Sequence, residues 1–442
     1  MDGGTGMIDL PVSFLRRMEN QLGKEMPDFL HEMERPYVRG IRINQYKTFR
    51  GMENYTAGGR IPWAEDGYFL PGPSRAGATV FHEAGAFYLQ EPAAMLPGEV
   101  MNAHPGEWIL DLCAAPGGKS TQIGLKLAGE GIIVCNEPVY KRAQVLSRNI
   151  ERMGIPNSVV TCAFPSDLPQ SWNELFDGVL ADVPCSGEGM FRRDPLTCTE
   201  WSAAKTEGCV KRQREILKEA ARLVRPGGRL VYSTCTYNPE ENEGMVEWFL
   251  KNHPDFSAEP FTLPGASGKD GMLLCLPHRM KGEGQFVALM RKRGNGLRRE
   301  AGKPFDGIPP AEISMLMNTV PGIQMPGRKA GNALIRISEC PDIRGIQLLR
   351  AGLRIAEYNG KKIIPDHAAA LCFLAPSAQE AELDPGETSD YLAGREICHP
   401  GSGWILLKYR GLALGWGKGS EGRIRNHYPK GLRKENILTD AE

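Results

Sequence analysis

Between residues 106 and 291, short apolar runs alternate with stretches of helical period, and this alternation constrains the fold more than any other feature of the chain. Trp108–Leu112 (WILDL), Gly131–Asn136 (GIIVCN), Asn157–Cys162 (NSVVTC), Phe176–Val183 (FDGVLADV) and Gly228–Ser233 (GRLVYS) each suit a buried strand. Helices are expected from Ser120, over Tyr140–Met153 and Lys211–Leu223, and from Pro239 to Phe249 with Asn238 as N-cap. A last strand pair is expected near Met272–Leu276 and Gln285–Arg291. Strands separated by helices of this length stack as βαβ units, so the chain reads as α/β with a doubly wound, mainly parallel sheet. Sheets of this kind bind ligands outside the carboxyl ends of their strands.

The flanks follow other patterns. Residues 10–33 carry apolar side chains at helical spacing and predict one or two amphipathic helices, while Arg39–Asn44 (RGIRIN) alternates like a strand. Residues 1–95 are expected to form a small N-terminal α+β domain, and 96–293 the core. Residues 294–309 predict a linker, 310–374 a small intermediate domain, and 375–389 a polar, turn-rich separator. Trp404–Leu414 reads as a hairpin within a small β-rich module at 385–442.

Composition narrows the function. Lys plus Arg and Asp plus Glu both total 53, so the net charge is zero; a uniformly basic coat is excluded and a local basic patch is allowed. The 11 cysteines include no CxxC pair, and the 8 histidines show no HxxxH or HExxH spacing. Neither a disulfide framework nor a metal site is therefore expected, and dispersed thiols suit a reducing cytosolic setting. No apolar run approaches the roughly 18 residues of a membrane helix, and the opening MDGGTGMIDLPVSF lacks the pattern of a secretory leader. A cytoplasmic, membrane-free, monomeric protein is expected.

Three strings stand where strands should end. DLCAAPGGKST (Asp111–Thr121) follows the first strand and opens a helix. Its Pro116-Gly117-Gly118 turn leaves room for a close ligand, and the helix amides beyond it favour an anion. A phosphate loop GxxxxGK[ST] would need glycine where Cys113 stands, and GxGxxG is absent, so both nucleotide signatures fail. Glu137 ends the second strand 19 residues after Gly118, a spacing suited to ribose hydroxyls. A nucleoside cofactor without a pyrophosphate fits better. In ADVPCSGEGMFRRDP (Ala181–Pro195), Asp182 ends the fourth strand and Cys185 follows it. In YSTCTYNPEENE (Tyr232–Glu243), Cys235 follows the fifth. An isolated buried cysteine is ordinarily inert packing. Two thiols on neighbouring tips beside a cofactor loop favour catalysis, and a thiol near helix N-termini has its thiolate favoured.

These strings, with HEAGAFYLQEP (His82–Pro92), resemble the Sun-family RNA cytosine-5 methyltransferases, nearest their bacterial RsmF-like subgroup. The likeness is strong over residues 8–293 and extends to NHYPKGLRKE (Asn426–Glu435) in the tail, where that subgroup carries a PUA-like RNA-binding module. It implies a Rossmann-like class I methyltransferase core and S-adenosyl-L-methionine as cofactor. It implies cofactor contacts by Cys113, Ala114, Ala115, Pro116, Gly117, Gly118, Lys119, Glu137 and Asp182. It also implies Cys235 as nucleophile, Cys185 as the residue assisting enzyme release, and RNA contact by the N-terminal domain. Two positions depart from the family. Phe164 stands where an acid usually holds the adenine amino group, with Asp167 three residues on, and Gln285 stands where many relatives have His.

The chemistry explains the residue types. Cytosine carbon 5 is a poor nucleophile until a thiolate adds to carbon 6, so covalent catalysis splits one hard step into two. Asp182 beside the ring nitrogen and Cys185 at the elimination step complete the set. The base must leave its stack to be reached. Segment 408–434 holds eight cations (Lys408, Arg410, Lys418, Arg423, Arg425, Lys430, Arg433, Lys434) against one acid, Glu421, interleaved with Tyr409, Trp416 and Tyr428. That mixture suits phosphate contacts with base stacking. Arg279, Lys281, Arg291, Lys292 and Arg293 form a second basic cluster. Small-subunit ribosomal RNA is the expected substrate. The alternatives are transfer RNA, or a catalytically silent RNA-binding assembly factor, against which the presence of both cysteines argues.

Overall fold

The computed structural model describes residues 9–439 apart from 73, 297–301, 303–304, 325, 338 and 375–377. At its centre is a nine-stranded sheet. Its strands include β1 (Trp108–Asp111), β2 (Ile132–Asn136), β3 (Ser158–Cys162), β4 (Phe176–Asp182), β5 (Val224–Thr234), β6 (Met272–Cys275), β7 (Gln285–Lys292) and β8 (Gln347–Ala351), in the order β6-β7-β5-β4-β1-β2-β3-β8. Strands β1 to β5 are parallel, and β7 runs antiparallel beside β5. Strand Phe256–Ala258 pairs with β7 outside this path. The order reverses at β1, and the strings that carry the candidate chemistry leave the carboxyl ends of β1 and of β4 and β5 on one side of it.

The apolar runs are continuous because both faces of the sheet are covered. Trp108 and Leu110 face the core under α3 (Ala203–Leu223) and α4 (Glu243–Asn252), whereas Ile109 faces α1 (Gly118–Lys126) and α2 (Tyr140–Met153). Helix α3 begins eight residues before the expected Lys211, because the Ser202 hydroxyl caps it by accepting from the Lys205 amide at 3.2 Å. Helix α4 begins at Glu243 and not at Pro239. The Asn238 side chain accepts from the Glu240 amide at 2.9 Å, closing a separate turn ahead of the helix.

An N-terminal sheet (Gly67–Phe69, Gly40–Ile43, Phe87–Leu89) and two helices (Val12–Leu22, Met26–Met33) precede the core. Phe14 and Phe29 of those helices pack on Phe191 and Tyr237, which lie in the loops after β4 and β5. Strand β8, from the segment expected to be an intermediate domain, pairs antiparallel with β3 and so extends the central sheet. Residues 297–301 and 303–304 of the expected linker at 294–309 fall outside the described residues, as does the start of the 375–389 separator. The tail forms a four-stranded sheet (Glu380–Glu382, Gly403–Tyr409, Leu412–Ser420, Arg423–Asn426). It does not stand alone: Tyr409 and Leu412 share one apolar cluster with Phe49, Tyr55 and Phe81 of the N-terminal region. Backbone bonds join Leu438 to Ala78 and Val80 at 3.0 and 2.9 Å.

Candidate active site

A cavity of about 270 Å³ opens at the carboxyl edge, where the loops after β1, β4 and β5 meet the start of β7. Of the sequence-derived residues, Cys113, Ala114, Ala115, Pro116, Gly118, Lys119, Asp182 and Cys235 line it; Gln285 does so as well. A larger cavity of about 870 Å³ lies around Arg229 and Arg291, but it contains no thiol and these two arginines are paired, with Glu107 at 2.6 Å and Glu259 at 2.5 Å. The sequence-derived candidates gather at the smaller one.

The two thiols meet. The Cys185 and Cys235 sulfurs are 3.3 Å apart, and the Cys235 amide points to the Cys185 sulfur at 3.3 Å. Cys235 lines the cavity and Cys185 does not. The hydrogen bond with Cys235, then burial, then the neighbouring charges of Cys235 and Glu241 push the Cys185 thiol well above its usual range. Cys185 therefore keeps its proton. Glu241 sets the separation of the two loops: its carboxylate accepts from the Ser186 amide at 2.9 Å, from the Ser186 hydroxyl, and from Gln213 at 2.9 Å. Ser186 and Thr236, each next to one thiol, share a hydrogen bond of 2.8 Å. Both carboxylate oxygens of Glu241 are partnered in this buried network, while the Gln213 oxygen has no partner among the described residues.

Asp182 accepts from the Lys119 ammonium at 2.7 Å, from the Ser233 hydroxyl at 2.6 Å, and from the Gln285 amide at 3.5 Å. Burial opposes the Lys119 charge, but the charge and hydrogen bond of Asp182, with the Cys235 sulfur, outweigh it and raise its pKa. Lys119 is thus engaged on the side of the thiols. Asp111, 1% exposed, ends β1 and lines the same cavity. Ser120 donates to its Oδ2 at 2.6 Å, while Oδ1 has no partner in hydrogen-bond geometry among the described residues; the nearby Cys113 amide only helps its charge. Burial pushes Asp111 up to about 7.

Two expectations about the loop change. Gly117 has φ +112°, and a Cβ there would meet Leu146 of α2 at 3.1 Å, so this glycine serves the turn and does not line the cavity. Gly118 does line the cavity, and a Cβ there would stand at ordinary contact distance, 3.4 Å, from Gln90 and Tyr88 in its wall. Glu137 is buried beside the cavity and not in its wall, accepting from the Val139 amide at 3.0 Å with Arg142 at 3.4 Å. Phe164 is 63% exposed, and Asp167 lies exposed in the turn beyond it, bonded to Ser166 at 3.2 Å.

Sequence reasoning missed three contributors. Asp111 was visible as an acid at the end of an apolar strand, which is the signal that could have found it. Arg42, buried, reaches from the N-terminal sheet to the Gly118 carbonyl at 3.0 Å, to Thr121 at 2.6 Å and to Gln90 at 3.2 Å. Its signal was a charge inside an alternating strand. Ser233 gave no signal. In the tail, Tyr409, Trp416 and Tyr428 are buried, so the rings expected to stack on bases fill the interior. Their neighbours Lys408 and Lys434 pair with Glu380 and Glu83.

Residues 99–291 match the family model described as 16S rRNA methyltransferase RsmB/F. Residues 10–92 match the N-terminal domain of 16S rRNA methyltransferase RsmF, and residues 378–434 the methyltransferase RsmF PUA domain. Ribosomal RNA small subunit methyltransferase F of Escherichia coli O127:H6 is 32% identical over 474 residues, covering 98% of each chain. Among solved structures, a methyltransferase homolog protein from Pyrococcus horikoshii is 26% identical with a TM-score of 0.55, covering 64% of this chain and 96% of that one. NSun6 from Pyrococcus horikoshii, at 21% identity, shares the fold with a TM-score of 0.57 over 66% of this chain and all of that one (100%).

Proposed function

The chain belongs to the ribosomal RNA small subunit methyltransferase F family, and from that premise we propose that it methylates carbon 5 of a cytosine in small-subunit ribosomal RNA through a bond between Cys235 and carbon 6. The observation that carries this reading is the pair of sulfurs 3.3 Å apart, one facing the cavity and one behind it.

The cavity fits S-adenosylmethionine. Asp111 Oδ1, buried and unpartnered among the described residues, suits an ammonium group, and the loop residues Cys113 to Pro116, Gly118 and Lys119 line the space beside it; Glu137 lies just outside the wall, so a ribose contact by it needs its bonds to Val139 and Arg142 to give way. When bound, the cofactor supplies a methyl group activated by its sulfonium. Cys235, as thiolate, adds to carbon 6, and the electron pair of the ring double bond becomes available at carbon 5. Nitrogen 3 takes a proton from water as density builds there, Asp182 accepts a hydrogen bond from it while Lys119 and Ser233 hold the carboxylate in place, and that proton returns to water when the ring double bond re-forms. After carbon 5 has taken the methyl group, its proton leaves to water and the carbon 6–sulfur bond breaks. The departing Cys235 sulfur receives the hydrogen bond of the protonated Cys185, which lowers the barrier to release. The regions matching the RsmF N-terminal and PUA models flank the core and are proposed to share RNA contact.

Separate replacement of the two thiols tests this order. Cys235→Ala should bind cofactor and RNA yet give neither adduct nor product. Cys185→Ala should methylate and then fail to let go, leaving an enzyme–RNA species that survives denaturing electrophoresis and vanishes in the double variant. An adduct trapped by Cys235→Ala would exchange the two roles. Intact activity in both variants would remove covalent catalysis.

A further inference from the structure

Arg192 and Arg193 are neighbours in sequence with opposite surroundings. Arg192 is buried, donating to Glu283 at 2.5 and 2.7 Å, to the Glu32 carbonyl at 2.7 Å and to the Gly282 carbonyl at 3.2 Å. Arg193 is exposed, and its guanidinium has no hydrogen bond or ion pair among the described residues. It lines the catalytic cavity and also a smaller one of about 140 Å³ beside it; the two share Leu89, Gln90 and Glu91. The wall of the smaller cavity also holds Arg39, likewise without an acidic partner among the described residues, and Tyr37, 41% exposed. Glu91 is the one acid in that wall, and its carboxylate is taken up by the amides of Ala93 at 2.9 Å, Ala94 at 2.7 Å and Glu283 at 2.8 Å.

A single solvated arginine says little. Two arginines without counter-ions, on a cavity that adjoins the nucleophile's and carries a half-exposed ring, describe a subsite for an anion attached to a flat group. A base reaches an enclosed thiol only when its nucleotide is turned out of the stack, and the strand on either side must then be held. Single strands are held by cations on phosphates and by rings on neighbouring bases.

We propose that this outer cavity seats the nucleotide adjoining the target, with Arg193 and Arg39 holding the flanking phosphates and Tyr37 stacking on the neighbouring base. The proposal rests on the RNA-methyltransferase reading above. Glu91, its carboxylate held by backbone amides, lines both cavities where they adjoin.

The test compares Arg193→Gln, Arg39→Gln, Arg193→Lys and Tyr37→Leu with the wild type on small-subunit ribosomal RNA. Readouts are steady-state methyl transfer, RNA affinity against salt, and calorimetric binding of S-adenosylhomocysteine. Each arginine-to-glutamine change should raise KM for RNA about tenfold and reduce the salt slope by about 0.7, and Arg39→Gln, outside the catalytic cavity, should do so with kcat within about twofold and cofactor affinity unchanged. Arg193→Lys should recover most of the affinity, because an ammonium still neutralises a phosphate. Tyr37→Leu should raise KM without altering the slope. An active wild type with variants of unchanged KM and slope overturns this proposal alone. A wild type that neither binds nor methylates RNA overturns the parent reading and the proposal with it.

Discussion

At the carboxyl edge of the central sheet, polar groups are inside and incompletely satisfied; in the C-terminal module, they are outside and the rings are within. Asp111 is buried with an unpartnered oxygen, and Lys119, Asp182 and Cys235 face one cavity. In the module, Trp416 is 1% exposed and Tyr409 3%, while Lys418, Arg423 and Arg425 lie on the surface with no ion pair among the described residues. Lys418 and Arg425 stand directly opposite each other on neighbouring strands, a like-charge pairing that is unfavourable until an anion joins it. Buried, unsatisfied groups mark a seat for a small ligand. Unpaired surface cations over a packed interior mark a platform for a polyanion. The same mixture of charge and aromatic residues in sequence leads to both.

The largest effect should come from ignoring that interior. Removing residues 385–442 strips Tyr409, Leu412 and Ile424 from a cluster shared with Phe49, Tyr55 and Phe81. Losing several buried large side chains costs more than the whole stability of a typical domain, about 5–15 kcal/mol. The truncated chain should aggregate or melt well below the full chain in scanning calorimetry. Cofactor binding should go with it, because Arg42 and Gln90 of the N-terminal sheet brace the Gly118 turn. A soluble truncated chain with an unchanged Tm would separate the two regions.

Next comes the buried acid. Asp111→Asn should weaken S-adenosylhomocysteine binding by on the order of tenfold to a hundredfold, the scale of a charge-assisted hydrogen bond. In the wild type, affinity should fall as pH drops below about 7, where Asp111 takes up its proton, and the variant should be flat there. Stability should move the other way. The folded pKa lies above the ordinary carboxylate value, so this group lowers stability as pH rises from about 4 to about 7. Asp111→Asn should therefore raise Tm at pH 8 while it loosens the cofactor. A variant that binds normally would place the ammonium elsewhere.

A smaller effect belongs to the platform. Lys418→Glu with Arg425→Glu should leave Tm unchanged, since both side chains are exposed, and should flatten the salt dependence of RNA binding by roughly 1.4 for two phosphate contacts on a single strand. An unchanged slope would mean that RNA passes by another face.

Strand order and edge chemistry were legible because buried parallel strands show as unbroken apolar runs and βαβ spacing fixes which tips converge. Cys185 and Cys235 could be paired on that ground, 50 residues apart and in contact. What was not legible depended on contacts across the chain. The loop glycine that lines the cavity is Gly118 and not Gly117, which faces Leu146 of α2. The tail's rings read as a stacking surface until their burial against the N-terminal region is seen. The strand at Gln347–Ala351 joins a sheet whose pattern had already closed without it. Alternation reports which face of a segment is apolar; it does not report which partner covers that face.

Phe164 gives the finest test of the contrast, because it is an exposed ring at the edge where polar groups are otherwise buried. It is 63% exposed, and the Asn136 side chain, at the end of β2, holds the carbonyl of the preceding Ala163 at 2.9 Å. An acid there would accept from an adenine amino group; a phenyl ring offers a face to stack on the purine instead. Stacking of a ring on a base contributes about 1–3 kcal/mol by alanine substitution, and the low end applies to a ring this open. Phe164→Ala should loosen S-adenosylhomocysteine about fivefold in calorimetry with no change in Tm, since the ring packs on little. Phe164→Asp should regain most of that affinity through the amino group, and its advantage should be lost when the acid is protonated below about pH 4. Equal affinity in the wild type, Phe164→Ala and Phe164→Asp would show that adenine lies away from β3, leaving the exposed ring to the RNA side of the molecule.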